Sequence, residues 1–352
     1  MLKILRKDLL LILAVVAVFL SLSYAIGFVT DRTPKTTELQ TAFLSGAHPA
    51  TQPTTARVWR KPTFEKAAIL NSTSLKDPAK MLAGNSINIF ILDWSDLRVK
   101  EFSPDGKLVR AFGEEVGSPG AFANPTGFGL DSGGNMWVCD MKQKRIGVFN
   151  ADGTKKSIRP QNTPYRVAAI GDKMIAMVTP VHSELFETYD SSGQQLKSFG
   201  ELVEDQSHKG LVLDGDIVSD AENHGFIYAG RYLGIIGAYD VEGKQRFLIQ
   251  TIDNVTQPTM LQYEGGPRKV KPNTTLPVLS LSVLNNELYI LSGVQPDGTS
   301  GGKVMDVYNK QDGHYLYSWE LPAGGQEAIV ASHYIYIRSD KEVTVWSFKS
   351  DT

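Results

Sequence analysis

Residues 120–153 read GAFANPTGFGLDSGGNMWVCDMKQKRIGVFNADG, and this stretch decides the fold. It contains two short β-rich runs, NMWVCD (135–140) and the start of RIGVFNADG (145–153), separated by a polar loop. The turn SGGN precedes the first run, and Asp-Gly follows the second. Short apolar runs bounded by Gly, Asn and Asp are typical of antiparallel hairpins. The stretch therefore predicts consecutive strands of one small sheet.

The same order of strands and turns returns along the chain from about residue 80. Five units have a strand that ends near an aromatic residue, four or five positions before a turn glycine: Phe102, Phe149, Tyr189, Tyr239 and Tyr308 precede Gly106, Gly153, Gly193, Gly243 and Gly313. A second kind of strand occurs six times, at 87–93, 135–140, 173–178, 226–230, 287–293 and 334–338. A period of roughly 40 to 50 residues with four strands per unit is typical of propeller blades. The sequence thus predicts an all-β fold, a six-bladed β-propeller over residues 63–352.

Two irregularities need separate explanations. The longest interval between turn glycines contains residues 253–277, whose Pro and Gly content predicts an inserted loop without regular strands. The last unit ends after its third strand, at 342–348, and the run FEKAAIL (64–70) is free to supply the fourth. Such closure removes two unpaired sheet edges. Removing residues 60–75 is therefore predicted to unfold the domain, and removing 1–55 to leave it folded.

The stretch at 120–153 resembles an NHL repeat. The resemblance rests on Gly and Phe before Pro-x-Gly, an Asp, a Gly-Asn turn, a Val-x-Asp strand end, and Arg-Ile-x-x-Phe before Asp-Gly. The matching residues are Gly120, Phe122, Pro125, Gly127, Asp131, Gly134, Asn135, Val138, Asp140, Arg145, Ile146, Phe149, Asp152 and Gly153. The other five units keep mainly the strand rhythm and the turn. The resemblance implies a six-bladed propeller of the NHL type, and a fold does not by itself give a function.

Two acid and base pairs recur at the same spacing in the first two units. Asp140 and Arg145 lie five residues apart across the loop between two strands, and Asp93 and Arg98 repeat this spacing. A feature that recurs between repeats indicates a structural role. We therefore predict an ion pair within each blade, with a ligand contact as the alternative.

One rim of the propeller is the predicted binding face. In this strand order it carries the loops between second and third strands and the connections between blades, and it contains Asp93, Trp94, Asp140, Lys142, His182, Glu184, His208, Asp214, Arg231 and Tyr232. The candidate binding residues are Asp93, Trp94, Asp140, His182, His208, Arg231 and Tyr232. Of the six histidines only His182 and His208 fall on this rim, and two histidines do not make a metal site. No metal and no cofactor are predicted.

The N-terminal segment Leu9–Val29 is an uncharged apolar run, preceded by Lys3, Arg6 and Lys7. It is long enough to span a bilayer as a helix, and the basic flank predicts that everything after Thr30 lies outside the cytoplasm. The alternative is a cleaved signal peptide with Ser23-Tyr24-Ala25 as the cleavage site. Residues 1–30 are therefore predicted to be a signal anchor or signal peptide. Residues 31–62, rich in Thr and Pro, are predicted to be an extended, solvated tether.

Composition limits the partners and the compartment. The formal charge is −2, from 36 basic and 38 acidic residues, so no basic face for nucleic acid is predicted. Cys139 is the only cysteine, which excludes an intramolecular disulfide, and an exported protein without cysteine pairs favours a bacterial periplasm. The predicted location is the inner membrane facing the periplasm, or a secreted state if the N-terminal segment is cleaved.

Two functions are compatible with these features. The first is a binding or scaffold propeller that holds a protein, peptide or glycan partner on its rim. The second is an enzyme, because some propellers that resemble this one are lyases or lactone hydrolases. An enzyme would use His182, His208, Asp140 and Arg231 at the channel mouth. No Ser/His/Asp arrangement, HExxH or GxSxG motif supports the second function.

Overall fold

The computed structural model of this 352-residue chain describes residues 36–39, 48–70, 73–84, 87–150, 154–178, 184–203, 212–253, 255–263, 268–295 and 300–349. The chain divides into two compact units, Met1–Gln40 with Thr259–Lys271, and Thr41–Pro258 with Pro272–Thr352. The predicted anchor at Leu9–Val29 lies outside the described residues. Within the described ranges, no helix has the length and apolar character needed to cross a bilayer.

In its described residues the larger unit contains six sheets, antiparallel except for β2 at the edge of the fifth, which are here numbered 1 to 6, with strands numbered in chain order. Sheets 1 and 2 contain β4 (Pro78–Ala83), β5 (Ile89–Asp93), β6 (Arg98–Phe102) and β7 (Leu108–Phe112), then β8 (Pro125–Leu130), β9 (Met136–Asp140), β10 (Arg145–Phe149) and β11 (Lys155–Ile158). Sheets 3 and 4 contain β12 (Pro164–Ile170), β13 (Lys173–Val178), β14 (Phe186–Asp190) and β15 (Gln195–Phe199), then β16 (Gly215–Asp220), β17 (Gly225–Gly230), β18 (Ile235–Asp240) and β19 (Gln245–Gln250).

Sheets 5 and 6 both include a strand from the N-terminal part of the chain. They contain β22 (Ser280–Leu284), β23 (Glu287–Val294), β24 (Ser300–Asn309), β25 (Tyr315–Glu320) and β2 (Trp59–Arg60), then β26 (Glu327–Ala331), β27 (Tyr334–Ser339), β28 (Glu342–Lys349) and β3 (Thr63–Ile69). Strand β3 pairs antiparallel with β28, with Phe64 opposite Phe348. The prediction that the run at 64–70 completes the last sheet is confirmed.

The first strands of the six sheets contact one another in a closed cycle: β4, β8, β12, β16, β22, β26 and again β4. They therefore surround a common axis. We call the space along this axis the central channel. Apolar faces of consecutive sheets pack together around this axis, as in the cluster of Trp137 and Ile146 from sheet 2 with Val167 and Met174 from sheet 3. The larger unit is thus an all-β, propeller-like fold in its described part, with one 3-10 turn at Ala221–Asn223.

The turns between third and fourth strands have the predicted geometry. Gly106, Gly193, Gly243 and Gly313 have φ angles of 86°, 90°, 78° and 76°. Residues that carry a Cβ atom are strained at these positive φ angles, which explains why glycine recurs in these turns. Gly153 lies outside the described residues.

The smaller unit contains a three-stranded sheet of β1 (Thr36–Leu39), β20 (Met260–Tyr263) and β21 (Arg268–Val270), with β20 in the middle. The expectation that residues 253–277 lack regular strands is wrong for β20 and β21. Strand β20 pairs antiparallel with β1, more than two hundred residues earlier in the chain. Local Pro and Gly content does not reveal a partner at that distance.

Residues 48–60 belong to the larger unit and contact its sheets, which differs from the solvated tether expected for this part of 31–62. Ala50 forms a parallel bridge with Ile249, and β2 pairs in parallel with β25. The side chain of Arg57 is only 11% exposed and forms ion pairs with Asp306 and Asp253. A buried cation with two carboxylate partners fixes this segment to sheets 4 and 5.

Candidate functional site

A bulge occurs at the same place in the first three sheets. In β4, β8 and β12 the register shifts directly after the opening proline, at Pro78, Pro125 and Pro164. The third residue of the strand is Gly127 in sheet 2, where the repeat consensus has glycine. Sheets 1 and 3 have Lys80 and Arg166 at this position. Two cations therefore replace the consensus glycine at one end of the channel.

Gly127 creates the space that Arg166 uses. A Cβ atom at position 127 would lie 2.7 Å from Cδ of Arg166 and 2.9 Å from the carbonyl oxygen of Tyr165. Arg166 Nη1 donates to the carbonyl oxygen of Thr126 at 2.6 Å, and its guanidinium lies 3.9 Å from the ring centroid of Tyr165. The arginine side chain is thus held across the edge of sheet 2.

Carboxylates from sheets 4 and 6 complete an ionic network at this channel mouth. Lys80 Nζ lies 2.8 Å from Asp216 Oδ2 and 2.9 Å from Glu327 Oε1. Arg166 Nε lies 3.2 Å from Asp216 Oδ1, and Arg338 Nε lies 3.2 Å from Glu327 Oε2. Glu327 also accepts the backbone N–H of Met81. These contacts link side chains from sheets 1, 3, 4 and 6.

Because these side chains are largely buried, the ionised state of each one is stabilised by its oppositely charged neighbours. Asp216 and Glu327 have side chains that are each 3% exposed. Burial alone would raise the pKa of Asp216, but the charges of Lys80 and Arg166 outweigh it and hold that pKa far below its usual value. Burial alone would lower the pKa of Arg166, and Asp216 more than compensates. Asp216 therefore remains ionised at neutral pH and has no proton to donate as a general acid.

Arg231 and Asp214 are held less tightly than the rest of the network. Arg231 Nε lies 3.5 Å from Asp214 Oδ2, and Arg231 Nη2 lies 3.8 Å from Asp216 Oδ2. Both distances exceed those of good charge-assisted hydrogen bonds. Asp214 Oδ1 is buried and accepts no hydrogen bond of good geometry from the described residues, although Asp214 lies close enough to Tyr165 to add to the rise that burial causes in the pKa of that tyrosine. These two side chains thus keep hydrogen-bonding capacity for a ligand.

Two adjoining cavities open at this mouth. The first, of about 210 Å³, is lined by the charged network except Asp216, together with Trp94, Thr126 and Tyr165. The second, of about 760 Å³, is bounded mainly by residues of sheets 5 and 6. The two share Arg231, Leu279, Gln326 and Arg338 as lining residues. A ligand larger than one side chain can therefore occupy both cavities while contacting the two arginines.

The structure brings together two of the sequence-predicted binding residues, Trp94 and Arg231. Both line the smaller cavity, and the side chain of Trp94 is 52% exposed there. Trp94 Nε1 donates to the carbonyl oxygen of Pro125 at 3.2 Å, which orients the ring. Tyr232 follows Arg231 in the same turn and is half-buried, and burial raises its pKa. It is not among the residues that line either cavity.

Asp93 and Asp140 hold the backbone of their own sheets and are fully buried. Asp140 accepts the backbone N–H groups of Ala123, Asn124 and Gln143. Asp93 accepts the corresponding groups ahead of β4 and pairs with Lys100 at 2.7 Å. Burial alone would raise the pKa of Asp93, but these hydrogen bonds lower it to about 2. In both cases the carboxylate faces the chain rather than the cavity.

The predicted ion pairs within blades one and two are therefore wrong. Arg145 Nη2 donates to the carbonyl oxygens of Gly120 and Ala121, and Arg98 pairs with Asp96 at 2.9 Å. The carboxylates of Asp140 and Asp93 are occupied by backbone N–H groups instead. A buried carboxylate that accepts several N–H groups is already satisfied, so it gains little from a distant guanidinium.

His182 and His208 lie outside the described residues, so their predicted roles stay predictions. Within the described ranges, no group of three or more His, Cys, Asp or Glu side chains is placed to hold a metal ion.

Sequence reasoning missed most of the network, which includes Lys80, Tyr165, Arg166, Asp216, Glu327 and Arg338. A signal was present in the sequence, because four of these residues are charged and stand in otherwise apolar first strands, as in PAKMLA and PYRVAAI. Charged residues in a buried strand need partners, and here the partners come from other sheets.

Comparisons with known proteins agree with the fold. No protein-family model matches the chain. A stretch of 91 residues is 32% identical to the human protein NHL repeat-containing protein 3, and it covers 25% of this chain and 26% of that protein. The chain thus spans about a quarter of the length of that relative. Among solved structures, a streptogramin B lyase matches with a TM-score of 0.51 at 11% identity, over 82% of this chain and 98% of the lyase. The RRP9 WD40 repeats match with a TM-score of 0.51 at 11% identity, over 82% and 100%.

Proposed function

We propose, from the premise that this chain is an NHL-like β-propeller, that it is a binding module that holds a protein or peptide partner at the charged channel mouth. The observation that carries this proposal is the convergence of six charged side chains around the cavity of about 210 Å³, two of which are paired with the buried Asp216. Ion pairs already fix most of them, so little side-chain freedom is lost on binding. Trp94, Tyr165 and the arginines are residue types enriched in binding interfaces.

We also infer that the six sheets correspond to six blades of one ring. The closed cycle of contacts between first strands supports this count, as does the completion of sheet 6 by β3. A ring closed by pairing the two ends of the chain has no free edge at its junction, which limits edge-to-edge association. The channel mouth would then be a rigid surface framed by all six blades.

Export and anchoring form a further part of the proposal. The uncharged run Leu9–Val29 with its basic flank supports an N-terminal anchor that leaves the propeller outside the cytoplasm. A fusion of alkaline phosphatase to the C-terminus, produced in bacteria, is expected to be active, because this reporter folds only outside the cytoplasm. Mass spectrometry of the mature N-terminus then separates a retained anchor from cleavage after Ala25. An inactive fusion would contradict export.

Photo-crosslinking at the channel mouth tests partner binding. A benzoylphenylalanine at position 94 of the full chain, in the cells that produce it, is expected to crosslink to a discrete partner. The matched control is position 116, whose valine is 60% exposed and lies outside both cavities. Crosslinking should fall strongly when Arg231→Ala is combined with the probe at 94. Equal products from positions 94 and 116 would refute a binding site at the mouth.

A further inference from the structure

We propose that the channel mouth recognises a carboxylate next to an N–H donor, as in an acidic peptide, through Arg231, Arg338 and Asp214. This inference rests on the proposed function and specifies the chemical group that the same site binds. Its basis is the set of hydrogen-bond donors and acceptors that the ionic network leaves unused, and their position beside the two cavities.

Among the four cations of the network, Arg231 has the guanidinium group that is held least tightly by carboxylates. Its guanidinium is 29% exposed, and its nearest carboxylate oxygens among the described residues lie at 3.5 and 3.8 Å. Its backbone N–H donates to the carbonyl oxygen of Asp214 at 2.8 Å, which fixes where the side chain starts. An anchored guanidinium with loosely engaged donors is suited to a two-pronged contact with a carboxylate.

Arg338 adds a second donor on the same wall. Its Nε contacts Glu327 Oε2 at 3.2 Å, and its Nη1 donates to Gln326 Oε1 at 2.8 Å. Its side chain is 15% exposed, so part of it remains accessible to a ligand. Because Arg231 and Arg338 both line the two cavities, a carboxylate between the cavities can meet both guanidinium groups.

Asp214 provides the complementary acceptor. Its Oδ1 is buried without a hydrogen bond of good geometry from the described residues, and it lines the smaller cavity beside Arg231. An unmade hydrogen bond at a buried carboxylate oxygen is costly, so a ligand N–H that fills it gains affinity. The peptide N–H next to a carboxyl group has the right polarity. Trp94 and Tyr165 line the same cavity and can pack on the adjoining side chain.

The charge of the mouth favours a monoanion. Lys80, Arg166, Arg231 and Arg338 stand against Asp214, Asp216 and Glu327, so cations exceed carboxylates by one. One carboxylate neutralises this excess. A phosphate dianion would leave an uncompensated negative charge close to three fixed carboxylates, which is unfavourable at a partly buried site.

Peptide pools test the inference on the immobilised full chain in detergent. Three pools of N-acetylated tetrapeptides are built from Gly, Ala, Ser, Leu and Phe. The first ends in a free carboxylate, the second in a carboxamide, and the third is amidated but carries Glu at position three. Mass spectrometry of the retained peptides gives the preference for each pool. The first and third pools separate a terminal carboxylate from a side-chain carboxylate.

We expect retention of the first or third pool to exceed that of the second by about tenfold, because a charge-assisted contact is replaced by a neutral one. Arg231→Gln and Arg338→Gln should each reduce this preference to below about threefold. Arg110→Gln is the matched control, since Arg110 forms an ion pair with Glu101 away from both cavities. Asp214→Asn keeps an oxygen acceptor for the peptide N–H and removes one negative charge, so it should increase carboxylate retention, a change that misfolding cannot produce.

The outcomes separate the two proposals. Equal retention of the amidated second pool, lost in Trp94→Ala, would overturn carboxylate recognition while leaving peptide binding at the mouth in place. An undiminished preference in Arg231→Gln would also overturn carboxylate recognition. No retention of any pool would overturn both.

Discussion

The carboxylate of Asp140 shows how one residue fixes the geometry of a whole sheet. It accepts N–H groups at 2.8 Å from Ala123, 3.1 Å from Asn124 and 3.1 Å from Gln143, and it is fully buried. These groups belong to the chain just before β8 and to the loop between β9 and β10. The aspartate therefore positions the bulge at the start of β8. It acts on the binding site only through the backbone.

A double-mutant cycle separates this role from the ion pair expected from sequence. Asp140→Ala should lower the free energy of unfolding by about 3 kcal/mol, because buried N–H groups lose their acceptor. Arg145→Ala should cost less, since Arg145 reaches partly exposed carbonyl oxygens and the ring of Phe122. The double mutant should be additive within about 0.5 kcal/mol in urea unfolding. A coupling energy well above that value would show that Asp140 and Arg145 do form the ion pair expected from the sequence.

Arg57 is a second residue whose loss has a defined consequence. Its guanidinium donates to both carboxylate oxygens of Asp306 and also pairs with Asp253. Burial, followed by repulsion from Asp306, raises the pKa of Asp253 to about 6, although Arg57 opposes this. Ser292 donates to Asp253 and Ser318 to Asp306, at 2.7 and 2.6 Å. Two buried carboxylates therefore share one cation.

Removing that cation should destabilise the protein in a pH-dependent way. Without Arg57 the pKa of Asp253 rises further, so the folded state holds a proton that the unfolded state releases above about pH 4. Stability then falls as pH rises through the folded pKa. Arg57→Ala should cost about 3 kcal/mol at pH 8 and at least about 1 kcal/mol less at pH 5, measured by urea unfolding. Arg110→Ala is the control, and equal Arg57→Ala penalties at both pH values would count against the shared-cation interpretation.

At the scale of elements, β3 is the strand that the last sheet lacks. It pairs with β28 over Thr63–Ile69, and its Phe64 packs on Trp319 and Phe348. We expect a chain starting at residue 56 to fold, because it keeps Arg57, β2 and β3. A chain starting at residue 76 should not fold cooperatively, since the edge of β28 and its apolar neighbours are exposed. Circular dichroism during thermal unfolding of both truncations checks this, and a cooperative transition in the shorter chain would disprove the role of β3.

Strands of the larger unit follow from local sequence, whereas the smaller sheet does not. The predicted strand NMWVCD (135–140) is β9, which begins one residue later at Met136, and the run RIGVFNADG (145–153) contains β10, which ends at Phe149. Their alternation and flanking turns are local signals. Strands β20 and β21 carry weak local signals, and their pairing depends on β1. Residues 48–60 were misjudged for a similar reason, because the partners of Arg57 come from sheets 4 and 5.

At the scale of the whole molecule, the ionic network links sheets that are distant in the ring. Lys80 belongs to sheet 1 and Asp216 to sheet 4, which is three steps away in either direction around the cycle of first strands. Their ion pair therefore crosses the channel. Trp94 and Arg231 could be identified from sequence because the repeat places their loops on one rim. The network could not, because its members meet only after the ring has closed.

A double-mutant cycle on Lys80 and Asp216 tests whether the crossing ion pair stabilises the ring as a unit. Lys80→Met should lower the free energy of unfolding by about 3 kcal/mol, because Asp216 and Glu327 lose a cation while they stay buried. In the background of Asp216→Asn the same change should cost at least about 1 kcal/mol less, because one of the two carboxylates no longer needs the charge. Lys107→Met with Asp105→Asn is the matched control, since that ion pair lies at the exposed turn between β6 and β7, and it should show no measurable coupling. Urea unfolding of the full chain, followed by tryptophan fluorescence and circular dichroism, should give one transition in every variant. A Lys80–Asp216 coupling no larger than that of the control would mean that the two sheets are held in place independently of the channel network.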